Sequence, residues 1–431
     1  MITVVGAGTG GPAGADASPG APVGASPDSA VGAFADVLAG AELVVGGRRH
    51  LEAAAVPGTA ERIVLGPLGP ALDAIEAYVR AKRRVVVLAS GDPGFFGIVR
   101  VLAERFGPDR LAVRPGVSSV AAAFARLGLT WEDAVVVSAH GRDLRTAVNV
   151  CRAEPKVAVL TGPGAGPAEI GAALRPYART LVVATALGSP QERLERVTPA
   201  EAAERDWGTA VSVVVSLDER RSPGGGARTL AGRGPGPAGW ALAEEAFAHR
   251  DSMITKFEVR ALALARLGPR PGDLVWDVGS GSGSVAVECA RLGAAVTAVE
   301  KAADGAGRIR ANAAAHGVDV HVVHGTAPDA LDALDDPDAV FVGGGGRELA
   351  DVVAACARRA RRTVVVALAA LDRVPAARAA LTGAGFTCDG VLLQSSRLAP
   401  LPGDVTRLAA TNPVFLLWGV RPPATNEGVA Q

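Results

Sequence analysis

Apolar runs that end in glycine stand out along this chain of 431 residues. Ile2–Val5 leads into Gly6-Ala7-Gly8, and Leu274–Val278 leads into the glycine-rich stretch Gly279–Gly283. A short apolar run followed by alternating glycines predicts a buried strand that ends in a tight turn. Because glycine lets a ligand approach the backbone closely, both turns are candidate binding sites for a nucleotide-like cofactor.

Other apolar runs predict most of the remaining elements. The first half shows strands at 43–45, 85–89, 135–137, 157–160, 181–183 and 211–215, and helices at 31–38 and 118–127. The second half shows strands at 274–278, 295–299, 320–323, 339–342 and 363–367, with helices at 285–292, 305–316 and 347–358. The chain as a whole therefore predicts an α/β fold, and the strand–helix alternation of the second half predicts a doubly wound parallel sheet there.

Chain length and a glycine- and proline-rich stretch predict two domains. A chain of 431 residues is too long for one ordinary core. Residues 221–238 have the composition of a linker. We therefore predict domains at 1–220 and 239–422, joined by 221–238.

Composition narrows the class of protein. Lys plus Arg equals Asp plus Glu at 44 each, which argues against a nucleic-acid partner. The four cysteines form no CxxC pair, so we expect no metal site and no disulfide framework. The chain has no basic leader and no apolar run long enough for a bilayer, so we expect a soluble, cytoplasmic protein without membrane partners.

The second glycine loop has a partner on the next strand. Its spacing is GxGxG, and Glu300 closes the following apolar run. A carboxylate in that place can accept both hydroxyls of a ribose. This combination resembles class I S-adenosylmethionine-dependent methyltransferases. A dinucleotide-dependent oxidoreductase is an alternative, although its fingerprint is GxGxxG.

Longer motifs extend the resemblance to both halves. Phe247–Arg260, Gly325–Pro328 and Asn412–Phe415 resemble the decarboxylating precorrin C-15 methyltransferases of cobalamin biosynthesis, over about residues 240–420. Ser90–Gly97 and Arg114–Val120 resemble the tetrapyrrole methylases, over about residues 1–215. Two further segments are similar to the precorrin C-5 branch of that family: Leu43–His50 and Ser138–Arg142.

The order of the halves resembles a bifunctional, decarboxylating precorrin C5,15-methyltransferase family. That resemblance implies an N-terminal tetrapyrrole methylase fold of two α/β subdomains and a C-terminal class I Rossmann-like methyltransferase domain. It implies S-adenosyl-L-methionine as methyl donor and the anionic tetrapyrrole precorrin-6Y as substrate. Methylation at C-5 and C-15, with loss of an acetate carboxyl group, would give precorrin-8X. The resemblance also allows a homo-oligomer.

The same resemblance implies the donor-binding residues. In the first domain they are Gly6, Gly8, Gly91, Asp92, Phe96, Ser118, Ser119 and Ala139. In the second domain they are Thr255, Gly279, Ser280, Gly281, Ser282, Gly283, Glu300 and Ala327. Asp92 has an alternative reading, since Asp-Pro-Gly is also a turn sequence.

A substrate rich in carboxylates calls for arginine and lysine in both pockets. We predict Arg142 in the first catalytic site, and Lys256, Arg260 and Arg397 in the second. Further candidates for the first pocket are Arg48, Arg49, His50 and His140. Two more alternatives stay open: a methyltransferase acting on another tetrapyrrole or small molecule, and a binding protein without catalysis.

Overall fold

A computed structural model describes residues 1–7, 35–221, 228–234, 236–251, 253–344 and 346–423. Gly8 and the rest of the first predicted loop, part of the predicted helix 31–38 and part of the predicted linker lie outside these residues. Two compact units emerge. The first contains Met1–Arg142, Ala158–Ala172 and Thr180–Leu217, and the second contains Asp143–Val157, Ala173–Arg179 and the chain from Asp218 onward.

A parallel five-stranded sheet begins the first unit, in the order β3-β2-β4-β1-β5. Its central strands are short apolar runs whose side chains are almost all buried. Strands β1 and β4 are neighbours in the sheet. The strand that follows β1 in sequence, β2, lies on one side of this pair, and the strand that follows β4, β5, lies on the other side. The carboxyl ends of β1 and β4 therefore flank a switch point, where α/β sheets bind ligands. The strands are β1 Ile2–Ala7, β2 Leu43–Gly46, β3 Glu61–Val64, β4 Val85–Ser90 and β5 Leu111–Arg114.

A second five-stranded sheet has the order β6-β7-β10-β8-β9. Strand β8 pairs antiparallel with both of its neighbours, so this sheet is not doubly wound. The strands are β6 Val135–Ser138, β7 Lys156–Leu160, β8 Thr180–Thr185, β9 Arg193–Val197 and β10 Ser212–Leu217.

The second unit is built on a seven-stranded sheet in the order β13-β12-β11-β14-β15-β19-β16. Strand β11 is buried along its whole length, and its alternate residues enter two different cores. Val275 packs with helices on one face, whereas Trp276 packs with helices on the other. Burial on both faces explains why this strand is continuously apolar. The strands are β11 Leu274–Val278, β12 Ala295–Glu300, β13 His321–His324, β14 Ala339–Val342, β15 Thr363–Leu368, β16 Thr387–Leu393 and β19 Val414–Val420.

The last strands depart from a purely parallel sheet. Strand β19 runs antiparallel between β15 and β16. A separate two-stranded hairpin, β17 Ser396–Leu401 and β18 Val405–Ala410, lies between β16 and β19 in sequence. Asn412 and Pro413 precede β19 rather than lying within it. The predicted parallel sheet is thus confirmed for β11 to β15 and extended by an antiparallel edge.

Helices cover the sheets in both units. They are Arg48–Ala53, Leu68–Arg80, Val99–Phe106, Ser119–Leu127, Leu144–Ala153, Pro167–Leu174, Pro199–Glu204, Phe257–Leu267, Ser284–Arg291, Ala303–Ala315, Leu349–Arg359 and Val374–Gly383. Residues 35–39 are also helical. Across the part of the chain that the structure describes, every helix is too short or too polar to span a membrane.

Candidate functional site

Three backbone segments meet at the switch point of the first unit. A Cβ atom at Gly6 would lie 2.3 Å from the carbonyl oxygen of Gly91 and 2.4 Å from the amide nitrogen of Gly116. A Cβ at Gly116 would lie 2.6 Å from the carbonyl oxygen of Gly6. No side chain fits at such distances, so these two positions require glycine. The glycines bring the ends of β1, β4 and β5 together and leave a surface of bare backbone.

Several residues of the predicted donor site lie around these glycines. Gly91 lies beside Ser118, because a Cβ at Gly91 would be 3.3 Å from the Cα of Ser118. Ser118 caps the helix that begins at Ser119, since its Oγ accepts the N–H of Ala121 at 3.1 Å. Asp92 accepts the N–H of Gly94 at 2.8 Å, which is the geometry of a turn-forming aspartate.

An aromatic pair follows the Asp92 turn. Phe95 and Phe96 meet edge to face with centroids 4.9 Å apart, and both rings are partly exposed. The guanidinium carbon of Arg142 lies 5.2 Å from the centre of the Phe96 ring. The backbone N–H of Arg142 donates to the carbonyl of Ala139. The structure thus brings two predicted site residues together, with Phe96 contributing to an exposed apolar surface and Arg142 placing a cation beside it, while Ala139 is buried next to them.

A group of three polar side chains lies at the same edge of the sheet and consists of Arg49, His50 and Ser90. Arg49 Nη2 donates to Ser90 Oγ at 2.6 Å, and His50 Nε2 lies 2.8 Å from that oxygen. Burial, reinforced by the charge of Arg49, lowers the pKa of His50 to about 4. His50 is therefore neutral near pH 7. The other predicted histidine, His140, is exposed and contacts the carbonyl of Thr161 through Nδ1 at 3.3 Å.

The glycine loop of the second unit has the conformation that its sequence predicts. Gly279, Gly281 and Gly283 have φ angles of 70°, 60° and 75°, all in the left-handed region that favours glycine. The loop follows β11 directly and leads into the helix Ser284–Arg291. Ser282 is buried, and its carbonyl accepts a hydrogen bond from Asn312 at 2.7 Å.

Glu300 lies at the end of β12 with its carboxylate held against that loop. One oxygen accepts the N–H of Gly281 at 2.8 Å, and the other accepts the N–H of Ala302 at 2.9 Å. Gly305 makes room for it, because a Cβ there would lie 2.8 Å from Glu300 Cγ. Each carboxylate oxygen keeps a further lone pair for a ligand hydroxyl.

Asp277 places a second carboxylate beneath the loop. It is almost fully buried, and its Oδ2 accepts hydrogen bonds from Ser280 Oγ at 2.7 Å and from the N–H of Ala286 at 3.0 Å. Its Oδ1 is buried and has no hydrogen-bond partner among the described residues. Burial raises the pKa of Asp277 to about 6 against the effect of these two hydrogen bonds. A buried carboxylate oxygen without a donor fits a cationic group brought by a ligand.

Arg260 occupies a different position from that expected of a substrate ligand. Its side chain is fully buried and donates to the backbone carbonyls of Thr255 and Leu242. Its Nε lies 3.7 Å from Glu288, whose Oε1 also accepts the N–H of Leu242 at 2.5 Å. Arg260 thus ties the segment before the glycine loop to the helix after it. A contact between Arg260 and substrate would require breaking these bonds.

Arg397 is likewise engaged within the protein. Its guanidinium donates to Glu244 at 2.8 and 2.9 Å and to Glu258 at 2.6 and 3.1 Å. The hydrogen bonds from Arg397, supported by one from the N–H of Phe257, lower the pKa of Glu244 to about 2 despite its burial. The geometry therefore favours a structural role for Arg397, which connects the β17–β18 hairpin to the helix Phe257–Leu267.

The other predicted residues of the second site lie on nearby segments. Lys256 occupies the N-cap position of the helix that begins at Phe257, and Thr255 precedes it, with its carbonyl accepting a hydrogen bond from Arg260. Ala327 follows β13 and packs against one of the two cores. Sequence reasoning missed Asp277, Gly305 and Glu288 as contributors. The signal for Glu288 was an acidic residue inside the otherwise apolar run 285–289.

Left-handed glycines at the end of a parallel strand, with a carboxylate at the end of the next strand, form a candidate nucleotide-binding site on the second unit. Two family models match the chain: "Tetrapyrrole (Corrin/Porphyrin) Methylases" over residues 20–203 and "Precorrin methyltransferase domain" over residues 245–418. The chain belongs to the precorrin-6Y C(5,15)-methyltransferase (decarboxylating) family. Its class is therefore that of S-adenosylmethionine-dependent C-methyltransferases of cobalamin biosynthesis, which decides against the oxidoreductase alternative.

Curated relatives carry that name. The chain is 39% identical over 325 residues to the precorrin-6Y C(5,15)-methyltransferase of Sinorhizobium sp, covering 72% of this chain and 74% of that one. It is 36% identical over 315 residues to the enzyme of Mycobacterium tuberculosis, covering 71% and 74%. Among solved structures, the C-terminal domain of the Rhodobacter capsulatus enzyme shares 34% identity. That match covers 42% of this chain and 97% of the domain, with a TM-score of 0.38.

Proposed function

We propose that this chain methylates precorrin-6Y at C-5 and C-15 and removes the carboxyl group of an acetate arm, with S-adenosyl-L-methionine as donor at two sites. The first unit would serve C-5, and the second would serve C-15 and the decarboxylation. The domain division at 1–220 and 239–422 belongs to this proposal. The observation that carries it is the carboxylate of Glu300, held by two backbone N–H groups beside the left-handed glycine loop.

The residues of the second unit fit such a donor. Glu300 has lone pairs for two ribose hydroxyls, and Asp277 Oδ1 offers a buried acceptor for the ammonium of an amino-acid tail. The loop Gly279–Gly283 allows close approach of the backbone. In the first unit, the bare backbone around Gly6, Gly91 and Gly116 fits the same kind of ligand.

When bound, S-adenosyl-L-methionine supplies an electrophilic methyl group. The residues of the chain mainly have to align the acceptor carbon with it and exclude water. Partly exposed Phe95 and Phe96 offer an apolar surface for a conjugated ring, and Arg142 offers a cation for its carboxylates. Loss of carbon dioxide needs an electron sink, which the macrocycle itself provides. The protein then only has to hold the acetate carboxylate in place.

Turnover of precorrin-6Y with isotopically labelled donor tests this function. Mass spectrometry should show two methyl groups gained and one carbon dioxide lost. A product with a single methyl group would contradict the assignment of two active sites.

Glu300→Ala separates the two units. The variant should lose C-15 methylation and decarboxylation and keep C-5 methylation, because only the second donor site loses its carboxylate. Asp351→Ala is the matched control, since Asp351 is an exposed acidic residue on a helix of the same unit. Loss of both methylations in Glu300→Ala would contradict independent sites.

A further inference from the structure

The hydrogen bonds among Arg49, His50 and Ser90 have only one consistent direction. A guanidinium has N–H donors and no acceptor. Arg49 Nη2 therefore donates to Ser90 Oγ at 2.6 Å, and Arg49 Nε donates to His50 Nε2 at 3.3 Å. The ring nitrogen Nε2 must then carry a lone pair, so the 2.8 Å contact is a hydrogen bond from the Ser90 hydroxyl to His50. The low pKa of His50 agrees with this neutral form.

This group holds a cation with neutral partners. Among the described residues, the three side chains hydrogen-bond to one another, and no carboxylate lies within ion-pair distance of Arg49. About half of the other arginines in the described part of the chain pair with acids, as Arg83 does with Glu42. Two of the five N–H donors of Arg49 are used, which leaves the rest of its planar fork for a ligand.

The location of the group ties it to the donor site. Ser90 is the last residue of β4 and is followed by Gly91, whose carbonyl packs against Gly6 at the switch point. Arg49 and His50 lie in the helix that follows β2, the neighbouring strand. An immobilised guanidinium at the carboxyl edge of a parallel sheet matches the planar, bidentate geometry of a carboxylate.

We infer that Arg49, oriented by His50 and Ser90, is a carboxylate-binding residue of the first methylation site, and that His50 and Ser90 are its positioning residues. This inference rests on the proposed function for the identity of the ligand. Both a carboxylate of the tetrapyrrole substrate and the amino-acid carboxylate of the donor have the required chemistry. The substrate, with its many carboxylates, is the source that we expect.

Arg49→Gln in the full chain tests the inference through C-5 methylation of precorrin-6Y. Removing a charge-assisted bidentate bond should raise the substrate KM by about 10- to 100-fold, with little change in kcat. Arg49→Lys should recover only part of the loss, because it keeps the charge and loses the fork. His50→Gln and Ser90→Ala should raise the same KM by a smaller factor. Arg100→Gln is the control, since Arg100 is exposed and pairs with Glu104 on its own helix.

The two sources of carboxylate are distinguished by which KM changes. A rise confined to the donor KM would assign Arg49 to the donor carboxylate. An unchanged KM for both ligands, or a fall in kcat alone, would overturn the inference.

A binding measurement separates this inference from the proposed function. The stable octacarboxylic porphyrin uroporphyrin serves as a probe, and quenching of its fluorescence reports binding without turnover. Weaker uroporphyrin binding by Arg49→Gln than by the wild-type chain would support the carboxylate site even if precorrin-6Y were not methylated. Equal uroporphyrin affinity in both chains would count against it.

Discussion

Replacing Arg397 by Met distinguishes a structural arginine from a substrate ligand. In the structure Arg397 binds Glu244 and Glu258 through four hydrogen bonds. A carboxyl group whose pKa falls from 4.5 to about 2, as that of Glu244 does, contributes about 3 kcal/mol to folding at neutral pH. Arg397 is 37% exposed, so solvent screening reduces the free energy that its bonds to Glu244 contribute. We expect the variant to lower the free energy of unfolding of the second unit by about 2 kcal/mol.

The pH dependence of this difference has a definite sign. Because the pKa of Glu244 is lowered in the folded state, its contribution is fully present above pH 4.5 and is lost as the pH falls towards about 2. The stability gap between wild type and Arg397→Met should therefore narrow over that interval. At neutral pH it should be at its full value.

Urea unfolding followed by hydrogen exchange measures the effect locally, which suits a chain of two units. Amides of the hairpin Ser396–Ala410 should lose protection first in Arg397→Met. Arg407→Met is the matched control, because Arg407 is exposed on the same hairpin. If Arg397→Met unfolds like Arg407→Met while its substrate KM rises tenfold or more, the structural role is refuted and Arg397 is a substrate ligand.

Three further changes test other parts of the two sites. Gly116→Ala should reduce donor binding from two sites per chain to one in equilibrium dialysis, because the added Cβ would lie 2.6 Å from the carbonyl oxygen of Gly6; two intact sites would contradict the packing argument. The affinity of the second site for donor should fall below about pH 6, as Asp277 takes up a proton and loses its attraction for a cation. Calorimetry on Asp277→Asn should show weaker binding without this pH dependence, and a flat wild-type profile would refute the role. Arg260→Met should cost about 1–3 kcal/mol in urea unfolding, because the carbonyls of Thr255 and Leu242 lose their donor while Glu288 keeps its bond from Arg291; no measurable loss would contradict the structural role.

Much of the fold follows from apolar runs because the central strands are buried on both faces. The predicted strand 274–278 coincides with β11, and the predicted strand 85–89 falls within β4. The edge strands escaped prediction for the opposite reason. In β3, Glu61–Val64, no side chain is buried, and the hairpin β17–β18 is largely exposed. Without a buried face, such strands lack the apolar signature on which prediction depends.

The glycine positions of the sites were predictable because their requirement is local. A left-handed φ at Gly279 favours glycine, and the close backbone contact at Gly6 leaves no room for a side chain. Glu300 was predictable for a related reason, since the end of one parallel strand lies beside the end of its neighbour. Spacing along the sequence was therefore enough to bring the glycine loop and Glu300 together as a candidate donor site, whereas the contributions of Gly305 and Asp277 became visible only in the folded structure.

The arginines show where this reasoning ends. Arg49, Arg260 and Arg397 are alike in sequence, yet one lies at a sheet edge with neutral partners and the other two bind acidic residues brought from distant segments. The function of an arginine depends on whether the fold supplies its counter-charge. Glu258 lies 139 positions from Arg397, so spacing says nothing about that pair. An arginine whose partners in the fold are neutral keeps its positive charge available for an anionic ligand. By this criterion Arg49 is a better candidate for binding such a ligand than Arg260 or Arg397.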